Sequence, residues 1–130
     1  MKKKGIFIVF GIVAVVIIIA VVFIVGKVNK YNAYMDHVQI EEVDLNQIED
    51  GIYTGFSDAG AIIVQVEVTV KDHIITEIRL LRHDNGQGSD AEAIIDKILE
   101  EQRIDVDTIS GATSSSLVIQ DTIEKALLQK

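Results

Sequence analysis

The sequence predicts an α+β fold: a small antiparallel sheet of three to four strands covered by two helices, preceded by one N-terminal transmembrane helix. Three observations carry this reading. An uncharged apolar run lies near the start, a set of alternating valines lies in the middle, and two segments with helical spacing lie towards the end. The chain has 130 residues, room for one domain plus appendages.

The apolar run, residues 5–26, is free of charge and dominated by Ile, Val and Phe. About 20 such residues at helical rise span roughly 30 Å, the thickness of a bilayer's hydrocarbon core. A helix satisfies its own backbone groups in lipid, which outweighs the strand preference of the β-branched residues. The run is longer than the apolar part of a cleaved signal, and no A-x-A pattern follows it, so it reads as an uncleaved signal anchor. Lys2, Lys3 and Lys4 precede it, whereas Lys27 and Lys30 follow. That bias predicts a cytoplasmic tip at 1–4 and a single pass through the cytoplasmic membrane, with the remainder extracytoplasmic.

All twenty acidic residues but only nine of the twelve basic ones lie beyond the apolar run, a net charge of −11. Such a part repels nucleic acid and anionic headgroups, so no nucleic-acid partner is expected. The chain has no cysteine, which excludes disulfides, iron–sulfur clusters, C-x-x-C-H haem attachment, thiolate nucleophiles and lipoprotein linkage.

Residues 27–48 form a membrane-proximal stretch that either continues the helix or acts as a stalk. Residues 49–130 read as the extracytoplasmic domain. "DGIYTGF" is a turn and a short strand over Ile52–Phe56, with Tyr53 and Phe56 expected to pack in the core. "AIIVQVEVTV" alternates, placing Val64, Val66, Val68 and Val70 on one face. "KDH" is a tight turn into a third strand with Ile74, Ile78 and Leu80 sharing a face. Ser89 and Glu92 have capping-box spacing before a helix carrying Ala91, Ile94, Ile95, Ile98 and Leu99, which runs out near Arg103. "IDVDTI" is a brief extended segment. A last helix reaches about Leu128, with Ile119, Ile123, Ala126 and Leu127 inward.

Between them lies "DTISGATSSS". In one reading Ser110, Thr113 or one of Ser114, Ser115 and Ser116 caps the last helix. In the other, free N–H groups and small residues at the helix start make a seat for a phosphate. Gly111 and Ala112 allow close approach to the backbone. G-K-[ST] is missing, so this is not a nucleotide P-loop. Asp105 and Asp107 share a face without a third ligand to complete a metal site, and His37 and His73 read as surface residues. His83, at the end of the third strand, is a candidate cofactor contact.

Asp107, Ser110, Gly111, Ala112 and Thr113, followed by Ser115 and Ser116, match the D-x-x-[ST]-G-A-T motif in full. On these residues the chain resembles the FMN-binding domain family of the flavin-carrying subunits of the Rnf and sodium-translocating NADH:quinone oxidoreductase complexes. "DGIYTGFSDA" resembles the family's opening strand, and "VQVEVTVKDHIITEIRLLRHDNGQG" resembles its hairpin and following loop. The likeness covers Asp50 to Leu128 in order. One departure is the loop His83-Asp84-Asn85-Gly86, where the large complexes carry E-T-P-G; it bears on flavin environment and potential rather than on attachment.

The resemblance implies FMN as cofactor, linked from the Thr113 hydroxyl as a phosphoester by a separate, magnesium-dependent flavin transferase that uses FAD. Ser114, Ser115 and Ser116 are extra phosphate donors, and Asp107 serves transferase recognition or fixes the turn. No substrate pocket or acid–base machinery is recognisable. The implied role is therefore a membrane-anchored electron carrier between a membrane donor and an extracytoplasmic acceptor, rather than an enzyme with its own substrate. The alternatives are a noncovalent FMN sensor or reductase domain, and a flavin-free cell-surface interaction module.

Overall fold

The computed structural model describes residues 2–84 and 89–129. Its first element, α1 (Lys2–His37), is one helix of 36 residues. The apolar part is exposed along its length, and the helix is long and apolar enough to cross a membrane. The membrane-proximal stretch continues this helix as far as His37. It then passes through a one-turn 3-10 helix (Leu45–Gln47) started by Asp44, whose carboxylate accepts from the Asn46 N–H at 3.1 Å. Val43 and Ile48, from this connection, are buried in the same core as the sheet.

Three strands follow as an antiparallel meander in the order β1 (Gly51–Asp58), β2 (Ile63–Lys71) and β3 (Ile74–Asp84). Val64, Val66, Val68 and Val70 are all buried at 0–1 % exposure, as their alternation predicts. The β2–β3 turn has positive φ at both central residues, Asp72 (52°) and His73 (63°). That is the type I′ geometry whose twist suits a two-residue hairpin.

β3 departs from simple alternation. Register shifts opposite Thr69/Val70 and Gln65/Val66 leave Thr76 and Leu81 as extra residues on β3. Each bulge reverses which parity faces inward. Ile75 rather than Ile74 is therefore buried, Ile78 follows three residues later and Leu80 two after that. Phe56 was expected in the core, yet it is 54 % exposed. Its position on β1 has the opposite parity to Gly55 and Ser57, which are buried. Tyr53 does pack against the core, and its hydroxyl donates to the Glu49 carbonyl at 2.7 Å.

The helix after β3 begins later than its capping-box spacing suggests. A 3-10 segment (Ser89–Ala93) leads into α2 (Ile94–Glu101), whose cap residue Ala93 offers no side-chain bond. Gln102 ends α2 in the left-handed conformation and clamps the edge of β3. Its amide nitrogen donates to the Ile75 carbonyl at 2.9 Å, and its oxygen accepts from the Ile75 N–H at 2.8 Å. "IDVDTI" pairs with no strand. It is an irregular strap with Ile104 and Val106 buried.

α3 (Thr113–Leu128) crosses β1 and β2, while α2 lies over β3, so both helices cover one face of the sheet. The inward residues Ile119, Ile123, Ala126 and Leu127 are buried as expected, but so are Ser115, Ser116, Gln120, Asp121, Thr122 and Glu124. α3 is enclosed on its polar side as well, and each polar group there needs a partner. Gln120 donates to the Ile104 and Val106 carbonyls at 2.8 Å each, tying the strap to the helix. Asp121 accepts from the Tyr34 hydroxyl of α1, from Ser57 at 3.2 Å and from Lys125 at 2.6 Å. Glu124 accepts from the Glu41 N–H at 2.8 Å.

Two substitutions test this packing. A Cβ at Gly55 would lie 2.2 Å from the Thr122 carbonyl oxygen on α3. Gly55→Ala is therefore expected to destabilise the fold by about 1–3 kcal/mol, the usual range for overpacking, read as a fall in denaturant midpoint. Gln120→Leu removes the donor to the Val106 carbonyl, while the Ile104 carbonyl keeps the Val106 N–H at 2.9 Å. It is expected to cost about 1–3 kcal/mol in the same measurement, the usual cost of one buried group left unpaired; a midpoint within error of the parent chain refutes the tether.

Candidate functional site

The motif forms a turn and a helix start. The Ala112 N–H donates to the Ile109 carbonyl at 3.0 Å, closing a four-residue turn with Ser110 and Gly111 at its centre. Gly111 has φ +79° and Ser110 does not have a positive φ. That is a type II turn, which needs glycine at its third position. A Cβ at Gly111 would meet nothing within 4 Å, so backbone conformation and not crowding selects glycine, and the space over the turn is open.

α3 starts at Thr113 with Ala112 as its cap residue, and no side chain caps it. Of the two readings of the hydroxyl cluster, the capping one is not realised. Thr113 is exposed at the first helical position, beside N–H groups that have no acceptor within their own helix. Ser114 is half-buried, and its Oγ lies 2.6 Å from the Tyr31 hydroxyl of α1. Ser115 is buried. Ser116 turns inward, donating to the Ala112 carbonyl at 2.8 Å and accepting from the Ile109 N–H at 3.1 Å. It holds the turn from behind and is not presented to a ligand. Ser110 and Asp107 are both exposed, and the Asp107 carbonyl accepts from Lys97 at 3.4 Å.

His83 lies at the end of β3 opposite Val64, and the bulge at Leu81 turns it to the inner face. Its side chain is only 2 % exposed, with Nδ1 3.1 Å from a Glu92 oxygen. Asn85 and Gly86, the rest of the loop that departs from the E-T-P-G pattern, lie outside the described residues.

The end of β1 and the turn after it meet α1 beside the apolar segment. Lys30 pairs with Asp58 at 2.6 Å. Its hydrogen bond, with that of the Gly60 N–H, holds the Asp58 carboxyl below the usual carboxylate range. At the end of β3 the Arg82 guanidinium does the same for Asp84. Asp58 and Asp84 both pair with Ile63 at the start of β2, so the two strand ends lie at one level of the sheet. His37 is exposed with a ring nitrogen on the Ala33 carbonyl, and His73 bonds the Leu45 and Ile48 carbonyls at 3.2 Å. No group of three or more His, Cys, Asp or Glu suited to a metal occurs among the described residues.

Sequence reasoning missed Tyr31 and Lys97. Tyr31 carried a usable signal, because Lys27, Tyr31, Tyr34 and Val38 keep the 4, 3, 4 spacing of one helix face. Lys97 carried none, since only the fold brings it to the strap.

An exposed hydroxyl, an uncapped helix start and open space above a glycine turn suit a phosphate-bearing group. The dipole of α3 favours negative charge at that end. No curated protein and no solved structure matches the chain. A family model described as the FMN-binding domain matches residues 59–128, more than half of the chain, from the β1–β2 turn to the last residue of α3. The chain therefore belongs to the FMN-binding domain family.

Proposed function

We propose that this protein is a membrane-anchored electron carrier whose FMN is joined by a phosphoester to Thr113. The observation that carries the reading is the exposed Thr113 hydroxyl on an uncapped helix start, inside a complete D-x-x-S-G-A-T sequence. Bound FMN supplies one- and two-electron redox chemistry.

The chain's own residues supply attachment and orientation. The Thr113 oxygen bonds to the FMN phosphorus of FAD, AMP leaves as the P–O–P linkage breaks, and the hydroxyl proton passes to a base of the transferase. A threonine hydroxyl is weak without such help, which fits the need for a separate enzyme. The N–H groups of the first turn of α3 then face the phosphate, and Gly111 leaves the approach unobstructed. Ser114 is engaged with Tyr31, so its role is to hold the helix start in place. Asp107 is exposed upstream of the turn, where it serves transferase recognition. His83 takes part from the inner face, with Glu92 fixing its ring.

The apolar part of α1 anchors the protein in the cytoplasmic membrane, with the domain on the extracytoplasmic side. There it relays electrons from a membrane donor to an extracytoplasmic acceptor. Tethering keeps it at high local concentration beside such partners.

The test is intact mass under denaturing conditions after coexpression with a flavin transferase. The parent chain is expected to gain the mass of FMN less one water, and Thr113→Ala to gain nothing. Flavin that binds but is released on denaturation refutes the covalent link and leaves a noncovalent flavoprotein. Asp107→Asn is expected to cut the labelled fraction at limiting transferase without changing the unfolding midpoint; normal labelling refutes the recognition role.

A further inference from the structure

The domain is fixed to its own membrane helix in one orientation, and the contacts give its polarity. Passing outward along α1, Tyr31 meets Ser114 and Tyr34 meets Asp121; beyond the helix, Glu41 meets Glu124. The order is the same on both segments, so α3 runs away from the apolar end of α1, with Thr113 nearest to it. β1 agrees: Asp58, at its far end, pairs with Lys30, and a Cβ on Gly60 would lie 2.5 Å from the Lys27 carbonyl. Ile63, which starts β2, pairs with both Asp58 and Asp84, which places the end of β3 at that level too.

The apolar segment ends at Gly26, and Tyr31 stands five residues further on. At helical rise that is about 7 Å. The headgroup layer beyond the hydrocarbon core is about 5–7 Å deep on each side. We propose that α1 is a rigid spacer that holds the α3 start and the β1–β2 turn against the lipid headgroups, so that a group on Thr113 works at the bilayer surface. This rests on residues 5–26 spanning a membrane and on Thr113 as the attachment point.

The surface suits that neighbour. The β1–β2 turn, Ala59-Gly60-Ala61-Ile62, is small and uncharged in a strongly acidic domain. Two of the carboxylates at this end, Asp58 and Asp84, are each matched by a cation, Lys30 and Arg82. Repulsion from headgroups is thereby reduced where the domain approaches them. The opposite end, the Asp72–His73 turn, stands about 30 Å further out, the length of β2. Redox partners of a Thr113-bound flavin are accordingly those whose reactive groups reach the membrane surface.

The absence of cysteine allows a direct test on the full chain, independent of flavin. Thr113→Cys and, separately, Lys71→Cys are labelled with a nitroxide and reconstituted in phosphatidylcholine vesicles containing a nickel-chelating lipid. Spin relaxation by surface nickel is expected to be several-fold stronger at 113 than at 71. A helical heptad inserted between Gly26 and Lys27 lifts the domain by about 10 Å and is expected to weaken it at 113. Equal relaxation at the two sites, or no response to the heptad, in protein that resists carbonate extraction, overturns the spacer and leaves the anchor intact. Extraction by carbonate overturns the anchor and the spacer together. Loss of the flavin reading shows in the mass assay alone, because the label reports position without FMN.

Discussion

The enclosure of α3 on all sides is the constraint on which the rest of the structure depends. A helix packed on a sheet ordinarily buries an apolar stripe and leaves its polar face in water. Here Gln120, Asp121, Thr122 and Glu124 are buried as well, and burying them without partners would cost several kcal/mol. Thr122 donates to the Val118 carbonyl of its own helix. The other three draw partners remote in sequence: the strap at Ile104 and Val106, the end of α1 at Tyr34, β1 at Ser57, and the connection at Glu41. The end of α1, the strap and the glycine turn are therefore parts of one arrangement around α3. Ser116 extends it to the turn itself, since one hydroxyl bonds both Ala112 and Ile109.

What the sequence made legible follows from how local each signal is. The apolar helix, the four valines of β2 and the type I′ turn are set by period and turn chemistry within a few residues, and they appear where expected. The failures arise where a distant contact overrides the local pattern. Alternation assigned Ile74 inward, but bulges at Thr76 and Leu81 shift the parity of β3 twice, and the second brings His83 inside. Phe56 looked like core because it is aromatic, yet strand parity sends it to the open face. The strap read as a brief extended segment, and what its sequence did not show is that its carbonyls are taken by Gln120. At the site, the motif was visible in full, whereas the role of each hydroxyl was not. Only the fold separates Thr113, exposed, from Ser116, turned inward to brace the turn.

That separation removes the capping reading of the hydroxyl cluster. A capping Ser or Thr stabilises a helix by about 1 kcal/mol, and residues 110–116 hold five such residues. None of them caps α3, whose cap position falls to Ala112. Foregoing that stabilisation leaves the first N–H groups of the helix without a side-chain acceptor, beside the exposed Thr113. The tight turn before it supplies the reach: Gly111 in its positive φ redirects the chain so that Thr113 emerges on an open surface.

The relation between anchor and site follows from β1 more than from the tyrosines. Tyr31 and Tyr34 join α1 to α3 by hydrogen bonds, which contribute about 1 kcal/mol between hydroxyls and about 1.5–3 kcal/mol to a carboxylate. The glycine contacts are stricter. Gly55 lets the Thr122 carbonyl of α3 approach to a distance that no side chain permits, and Gly60 does the same for the Lys27 carbonyl of α1. Both lie on or just past one strand, with the Lys30–Asp58 pair between them. Since α3 and α1 are each set against the same short piece of backbone, β1 fixes their mutual position, and the hydroxyl bonds bridge a gap of matching width. The height of Thr113 above the apolar segment is in this sense a property of the hairpin.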